Sequence, residues 1–204
     1  MSIILVRHGA TALNLARVLQ PPDTALNASG FAQAEAVALE LLALHPAGVI
    51  SSDLPRAQQT AQAIARATGL AVLTTELLRE RNFGELRGQA YDSLDFDPLA
   101  MARAPAGGES AQAFERRAGL AFALVMQRRA AIAGPLVVVT HGLVIRAMLA
   151  GPLNLAPDRL AGMHIANTSV TVVAEHPPHA LKLLNSTRHL DAGIADDRRG
   201  LVGG

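Results

Sequence analysis

The sequence contains no cysteine, which excludes disulfides, thiolate nucleophiles and zinc sites built from cysteine. Aromatic residues make up only 3% of the chain, so stacking platforms for nucleic-acid bases are not expected. No apolar run approaches the roughly 20 residues that a membrane-spanning helix needs. The N-terminus also lacks the pattern of a secretory signal. We therefore expect a cytoplasmic protein that binds no membrane.

Neither sign of charge dominates the sequence. It has 18 basic and 17 acidic side chains and a formal net charge of +1, which argues against a nucleic-acid partner. Half of the 204 residues are hydrophobic, enough for one sizeable core. The length predicts a single domain over residues 1–190, followed by a polar, glycine-rich and flexible tail at residues 191–204.

Short apolar runs rich in β-branched residues alternate with segments of helical periodicity. Strands are predicted at residues 3–6, 48–51, 71–75, 136–140, 169–174 and 181–184. Helices are predicted at residues 29–44 with Ser29 as the N-cap, at 55–68, at about 110–131, and from 143 onward. This alternation predicts an α/β domain with a largely parallel sheet.

Two of the predicted strands end on a histidine followed by a glycine. The first strand leads into Arg7-His8-Gly9, and the strand at 136–140 leads into His141-Gly142. Ligands in open α/β sheets bind beyond the carboxyl ends of the strands. We therefore expect His8 and His141 to face one pocket.

Charged residues follow two further strands of the predicted sheet. The strand at 48–51 leads into Arg56, and the strand at 71–75 leads into Glu80, with Glu85 as a competing carboxylate nearby. Arginine offers a planar fork that suits phosphate oxygens. A neutral histidine can attack phosphorus, and a carboxyl group can protonate the departing alkoxide. The pattern therefore predicts a site for phosphoryl chemistry.

These residues and the motifs around them resemble the histidine phosphatase superfamily, the phosphoglycerate-mutase-like proteins, over nearly the whole chain. The matching segments include Arg7-His8-Gly9 with Thr11 and Asn14, residues 52–57, Glu80 with Phe83-Gly84 and Gly88, Gly108-Glu109-Ser110, His141-Gly142 with Ile145-Arg146, and Asn167-Thr168-Ser169. The resemblance implies a three-layer α/β/α sandwich of the phosphoglycerate-mutase-like type, with a mostly parallel central sheet.

The resemblance also implies a role for each matching site residue. His8 is the nucleophile that becomes phosphohistidine, and Glu80 protonates the leaving group and then activates water. The residues that hold the phosphoryl oxygens are Arg7, Arg56 and His141, with further hydrogen bonds from Asn14 and the backbone N–H of Gly142. No metal or other cofactor is expected, because the arginines supply the positive charge. The implied partner is a small phosphorylated substrate, and the protein is expected to be a monomer or a homodimer.

The segment between Glu80 and His141 bears on the fate of the phosphoryl group. In the mutases of this superfamily it is longer and includes a basic, proline-rich cover over the substrate. Here residues 89–108 are short and contain Arg103 as their only basic residue. A short cover shields a phosphoenzyme poorly from water, so hydrolysis of small phosphomonoesters is predicted. The substrate itself stays open, partly because Arg87 stands where this family often has glutamate.

Three other functions stay open. A mutase-type phosphotransferase would use the same residues. A catalytically silent phosphate-binding protein would keep the fold, although binding alone needs neither His8 nor Glu80. A metallohydrolase would coordinate its metal through His8, His141 and Asp53, where the neighbouring arginines would repel a cation. Of the remaining histidines, His164 has a position from which it can approach the pocket.

Overall fold

The computed structural model describes residues 2–190, and the predicted tail at residues 191–204 lies outside the described residues. The strands are β1 (Ser2–Arg7), β2 (Gly48–Ser52), β3 (Val72–Thr75), β4 (Leu136–Thr140), β5 (Val170–Ala174) and β6 (Leu181–Ser186). They form one sheet in the order β3-β2-β4-β1-β5-β6. The first four are parallel to one another, and β5 is antiparallel to both β1 and β6. The predicted, mostly parallel sheet is confirmed.

The predicted helices are present with small shifts of their ends. In residues 2–190 the helices are α1 (Ala12–Leu15), α2 (Ala28–Leu42), α3 (Pro55–Thr68), α4 (Ala111–Ala130), α5 (Gly142–Ala150) and α6 (Pro157–Leu160). The prediction of Ser29 as the cap of α2 is wrong. Asn27 has the extended backbone of an N-cap, and its Oδ1 accepts a hydrogen bond from the Gly30 N–H at 2.7 Å. Ser29 instead lies exposed in the first helical turn.

The alternation of side chains along β1 divides the core into two layers. Ile3 and Leu5 pack in one cluster with apolar residues of α4 and α5, and Ile4 and Val6 pack in another with residues of α2 and α3. All five residues of β4 are buried, as expected for a central parallel strand covered on both faces. The result is the three-layer α/β/α arrangement. Within residues 2–190, no helix combines the length and apolar character needed to cross a membrane.

The sheet register brings the predicted site residues to one edge. Arg7 pairs with Thr140 at the parallel ends of β1 and β4, so His8 and His141 follow neighbouring strands at the same level. At the end of β2, Pro55 occupies the first turn of α3, which its fixed φ favours. Arg56 therefore begins the helix at the same edge of the sheet.

Two glycines allow α2 to lie against the loop that contains His8. A Cβ atom at Gly30 would lie 2.0 Å from the Ala10 carbonyl oxygen, and one at Gly9 would lie 2.4 Å from the Gly30 carbonyl oxygen. The Gly9 N–H donates to Thr60 Oγ1 of α3 at 3.0 Å, and the Ala10 N–H donates to Gln33 Oε1 of α2 at 2.8 Å. Helices α2 and α3 thus hold the loop in place.

We expect Gly30→Ala to lower the free energy of unfolding by about 1–3 kcal/mol, the usual cost of overpacking, and to lower turnover by displacing the His8 loop. The matched control is Gly119→Ala on the exposed side of α4, where a Cβ atom meets nothing within 4 Å. This control should gain up to about 1 kcal/mol, because alanine favours helix more than glycine does. Urea denaturation measures both changes. Wild-type stability in Gly30→Ala would contradict the close approach.

Candidate active site

His8 is fully buried directly after β1, and its backbone is held from two sides. The His8 N–H donates to the Thr140 carbonyl oxygen at the end of β4, at 2.9 Å. The His8 carbonyl oxygen accepts hydrogen bonds from Asn167 Nδ2 at 2.9 Å and from the Thr168 N–H at 3.3 Å. The position of His8 is therefore set by β4 and by the segment that precedes β5.

The hydrogen bonding of the His8 ring defines its tautomer. His8 Nδ1 lies 2.7 Å from the Gly9 carbonyl oxygen, which can only accept a hydrogen bond. The ring proton therefore lies on Nδ1, and in the neutral ring the lone pair lies on Nε2. A neutral imidazole of this tautomer is a nucleophile with a defined attacking atom.

The second histidine faces the first across the strand ends. The ring centroids of His8 and His141 are 5.1 Å apart, and the rings are tilted by 59°. His141 Nε2 lies 2.9 Å from Ser52 Oγ, which also accepts the Leu54 N–H at 3.2 Å. The Ser52 O–H can donate to Nε2 when the ring proton of His141 lies on Nδ1.

The environment of His141 keeps its ring neutral. Burial lowers the pKa of His141 well below its usual range, and the charges of Arg56 and Arg7 act in the same direction. His141 Nδ1 is buried and has no hydrogen-bond partner in residues 2–190. With its ring proton on Nδ1, neutral His141 offers a buried, unsatisfied N–H to a ligand, since such a group is costly to leave unpaired.

Two guanidinium groups lie in the same buried region, with Arg7 and Arg56 each 1% exposed. Arg7 Nη1 donates to the Ile165 carbonyl oxygen at 2.5 Å and lies 3.5 Å from His164 Nε2, so His164 does approach the pocket. Arg56 Nη1 lies 3.5 Å from the Pro21 carbonyl oxygen. Burial lowers the pKa of Arg56 to about 10, which leaves it charged at neutral pH.

Arg56 is incompletely satisfied by the protein itself. Its Nε is buried without a hydrogen-bond partner in the described part of the chain. No carboxylate of that part lies within the 4.0 Å of an ion pair with its guanidinium. A buried cation of this kind favours an anionic ligand, because burying an uncompensated charge is expensive.

Glu80 is the carboxyl group that the fold brings to this region. Its Oε1 accepts the Arg81 N–H at 3.0 Å, and its Oε2 accepts the Leu143 N–H of α5 at 3.1 Å. Burial raises the pKa of Glu80, and the two backbone N–H groups and the arginine charges oppose that effect only in part. Glu85, the competing candidate, lies exposed at the surface. A carboxyl group with a raised pKa is suited to donating a proton.

The two remaining predicted residues, Asn14 and Gly142, lie beside the buried histidines and arginines described above. Asn14 is buried, and its Oδ1 accepts hydrogen bonds from the Thr11 N–H at 3.0 Å and from Asn167 Nδ2 at 3.3 Å. Gly142 is the first residue of α5, and a Cβ atom there would lie 3.6 Å from Arg7 Nε. The structure thus brings every predicted site residue to one region of the sheet edge.

Asp53, the third ligand of the alternative metal site, is engaged elsewhere. Its Oδ1 and Oδ2 accept hydrogen bonds from Arg79 Nε at 2.8 Å and from Arg79 Nη2 at 2.5 Å. This two-point pairing occupies both carboxylate oxygens. Among residues 2–190 the structure has no group of three histidine or carboxylate side chains that could hold one metal ion, so His8, His141 and Asp53 do not form such a group.

Sequence reasoning assigned no role to three residues that position the site. Ser52 orients His141, Thr60 holds the loop after His8, and Asn167 links His8 with Asn14. All three lie inside or directly beside segments that match the family pattern, Thr60 in the Thr60-Ala61 pair that follows residues 52–57, and that match was the available signal. Their partners lie far away in the sequence, so spacing alone could not identify them.

Tyr91 places the segment at residues 89–108 close to the site. Its N–H donates to the Arg17 carbonyl oxygen at 2.8 Å. Burial raises the pKa of Tyr91, and the charge of Glu80 raises it further while that of Arg7 opposes the rise. Tyr91 therefore lies within electrostatic reach of both Glu80 and Arg7.

A family model described as the histidine phosphatase superfamily (branch 1) matches residues 3–187. The chain belongs to this superfamily. A relative from Yersinia enterocolitica, a probable phosphoglycerate mutase GpmB, is 33% identical, and the match covers 97% of this chain and 98% of the relative.

Solved structures of phosphatases show the same fold as this member of the superfamily. A mycobacterial glucosyl-3-phosphoglycerate phosphatase has a TM-score of 0.79 and 29% identity, with 91% of this chain and 99% of that one covered. A phosphoserine phosphatase from Entamoeba histolytica has a TM-score of 0.77 and 28% identity, with 93% and 98% covered. These similarities support phosphatase or phosphotransferase activity for this chain.

Proposed function

We propose that this protein is a metal-independent phosphatase that hydrolyses small phosphomonoesters through a phosphohistidine intermediate on His8. The observation on which the proposal chiefly depends is the buried cluster in which His8, with its Nδ1 directed at the Gly9 carbonyl oxygen, lies with two guanidinium groups and the unpartnered Nδ1 of His141. A phosphoryl dianion supplies the negative charge that the Arg56 guanidinium lacks and acceptor oxygens for Arg56 Nε and His141 Nδ1.

The first step transfers the phosphoryl group to the enzyme. The lone pair of His8 Nε2 forms a bond to phosphorus as the ester P–O bond breaks, and the proton of Glu80 goes to the departing alkoxide. The ring gains positive charge, which the hydrogen bond from Nδ1 to the Gly9 carbonyl oxygen stabilises. The phosphoryl oxygens carry negative charge throughout the transfer, and Arg7, Arg56 and His141 bind these three oxygens.

The second step returns the enzyme to its starting state. The Glu80 carboxylate accepts a proton from water, the water oxygen bonds to phosphorus, and the N–P bond to His8 breaks. Inorganic phosphate leaves, and Glu80 is again protonated. Asn14 and the Gly142 N–H add hydrogen bonds to the bound phosphate in this proposal.

Hydrolysis is favoured over transfer to a second hydroxyl by the character of the segment at residues 89–108. Its aspartates Asp92, Asp95 and Asp97 are exposed, and so is its single basic residue, Arg103. Exposed aspartates with a single arginine do not attract a second phosphorylated substrate. The phosphatases of similar structure support the same choice, whereas the mutase name of the relatives keeps transfer as the second candidate.

The test is to compare phosphate release with isomer exchange. We expect hydrolysis of p-nitrophenyl phosphate to survive EDTA, because arginines supply the positive charge, and to be inhibited by vanadate, which mimics the transition state. A panel of phosphoesters ranked by kcat/KM then identifies the substrate class. Loss of activity in EDTA would contradict metal independence. Isomer exchange of 3-phosphoglycerate with a bisphosphoglycerate primer that outpaces phosphate release would instead favour the mutase.

A further inference from the structure

Two cavities meet at the Glu80 carboxyl group. The smaller one is bordered by Arg56 and Gln20, and the larger one has a volume of about 500 Å³. Residues that line both cavities are Pro22, Leu54, Glu80 and Arg87. A volume of this size is typical of small-molecule sites, which span about 300–1,000 Å³. A molecule held at Arg56 can therefore extend past Glu80 into the larger cavity.

The direction of the leaving group follows from the proposed function, on which this inference rests. If the phosphoryl group binds at Arg56 and Glu80 protonates the ester oxygen, the leaving group continues on the far side of Glu80. The larger cavity lies on that side. Its walls therefore determine which leaving groups the enzyme accepts.

Two of the three arginines that line the larger cavity are held in ion pairs. Besides Glu80, the charged residues that line the larger cavity are Glu76, Arg79, Arg87, Glu109 and Arg117. Arg79 pairs with Asp53 and with Glu76, and Arg117 pairs with Glu109. Arg87 has no ion-pair partner in residues 2–190. Arg87 is therefore the arginine of this cavity whose guanidinium is not held in an ion pair.

Arg81, the other arginine near this junction, is occupied by backbone groups. Its guanidinium donates to the carbonyl oxygens of Leu99 and Met101, at 3.4 and 2.6 Å, and stacks over Phe83 at 5.2 Å from the ring centroid. The Arg87 guanidinium makes no such bonds within the described residues, and it is only partly buried. It is therefore the arginine at the junction of the two cavities, beside Glu80, that is available to a ligand.

We propose that Arg87 is a specificity-determining residue that binds an anionic group, a carboxylate or a second phosphate, on the leaving group of the substrate. The guanidinium fork matches either anion with two hydrogen bonds. Glutamate, which the family often has at this position, would repel the same group. This chain should thus prefer anionic leaving groups more strongly than relatives that have glutamate there.

The experiment measures inhibition of p-nitrophenyl phosphate hydrolysis by ligand pairs that differ in one anionic group. The pairs are 3-phosphoglycerate with glycerol 3-phosphate, phosphoserine with phosphoethanolamine, and a sugar bisphosphate with the matching monophosphate. In the wild-type protein we expect the more anionic member of each pair to have a Ki about tenfold lower, because one additional charge-assisted hydrogen bond changes affinity by about that factor. In Arg87→Gln the two values should become equal within about twofold, and Arg87→Lys should be intermediate.

The control is Arg128→Gln, which removes an exposed arginine of α4 and should keep the wild-type ratio. The carboxylate and bisphosphate pairs distinguish which anion Arg87 binds. Equal Ki values within every pair in the wild type, or a ratio that Arg87→Gln leaves unchanged, would overturn the proposal. If p-nitrophenyl phosphate is not hydrolysed at all, the proposed function fails separately. Calorimetric binding of the same ligands to wild type and Arg87→Gln then still decides the role of Arg87.

Discussion

Replacing His8 by alanine is expected to lower the turnover of p-nitrophenyl phosphate by at least about 10⁴-fold. The reason is that the other imidazole of the histidine pair, that of His141, is not held with its Nε2 free to attack phosphorus. His8 has its ring proton fixed by the Gly9 carbonyl oxygen, whereas His141 is bonded through Nε2 to Ser52. Steady-state kinetics measures the loss. Quenching with labelled substrate should trap a phosphoenzyme that is labile to acid in the wild type and absent in the variant.

Two controls separate loss of the nucleophile from loss of the fold. His176→Ala removes an exposed histidine beyond β5, at the edge of the sheet opposite to the site, since Ala174 pairs with Ser2 at the start of β1. It should keep wild-type turnover. Thermal unfolding and vanadate binding show whether His8→Ala is folded with an intact anion site. Wild-type activity in a folded His8→Ala variant would contradict the proposed mechanism.

The effect of Glu80→Gln should depend on the leaving group. For alkyl phosphates, whose alkoxide needs a proton, we expect kcat/KM to fall by about 10²–10⁴-fold. For p-nitrophenyl phosphate, whose nitrophenolate leaves without protonation, the first step should be largely retained. Because the base for water is also lost, the variant should release one equivalent of nitrophenol in a burst and then turn over slowly. Rapid-mixing kinetics distinguishes the two steps.

Glu85→Gln is the matched control, because Glu85 is a carboxylate of the same segment that lies exposed. It should leave both substrates unaffected. The amide of Glu80→Gln places an NH₂ group opposite the N–H of Arg81 or Leu143, which costs about 1–3 kcal/mol for an unsatisfied donor, so thermal unfolding must accompany the kinetics. Equal losses for alkyl and nitrophenyl esters, without a burst, would argue against Glu80 as the acid.

The pH profile provides a second measure of the same group. The protonated form of Glu80 is the active one in the first step, so kcat/KM for alkyl phosphates should fall as pH rises through the pKa of Glu80. Burial raises that pKa, so this limb should lie at higher pH than for an ordinary glutamate. The limb should be much weaker for p-nitrophenyl phosphate. A profile that is identical for both substrates would contradict the assignment.

Much of the fold could be predicted because its signals are local. The β-branched run of β4 and the Pro55 start of α3 are legible over a few residues, and the predicted bounds of both elements match the structure. The cap of α2 was mispredicted because Asn27 and Ser29 are both good capping residues. Only the backbone conformation of Asn27 decides between them.

The sequence by itself determined which residues end the parallel strands, and therefore that His8, His141, Arg56 and Glu80 share one edge of the sheet. This follows because strand ends are defined by short-range patterns and parallel strands end together. Only the tertiary structure decided how these groups are oriented and charged. The hydrogen bonds between Ser52 and His141 and between Asn167 and His8 join segments that are distant in the chain. The burial that raises the pKa of Glu80 likewise depends on distant segments packing around it. The unpaired guanidinium of Arg87 was likewise decided by the tertiary structure, because the fold pairs the neighbouring carboxylates with Arg79 and Arg117 instead.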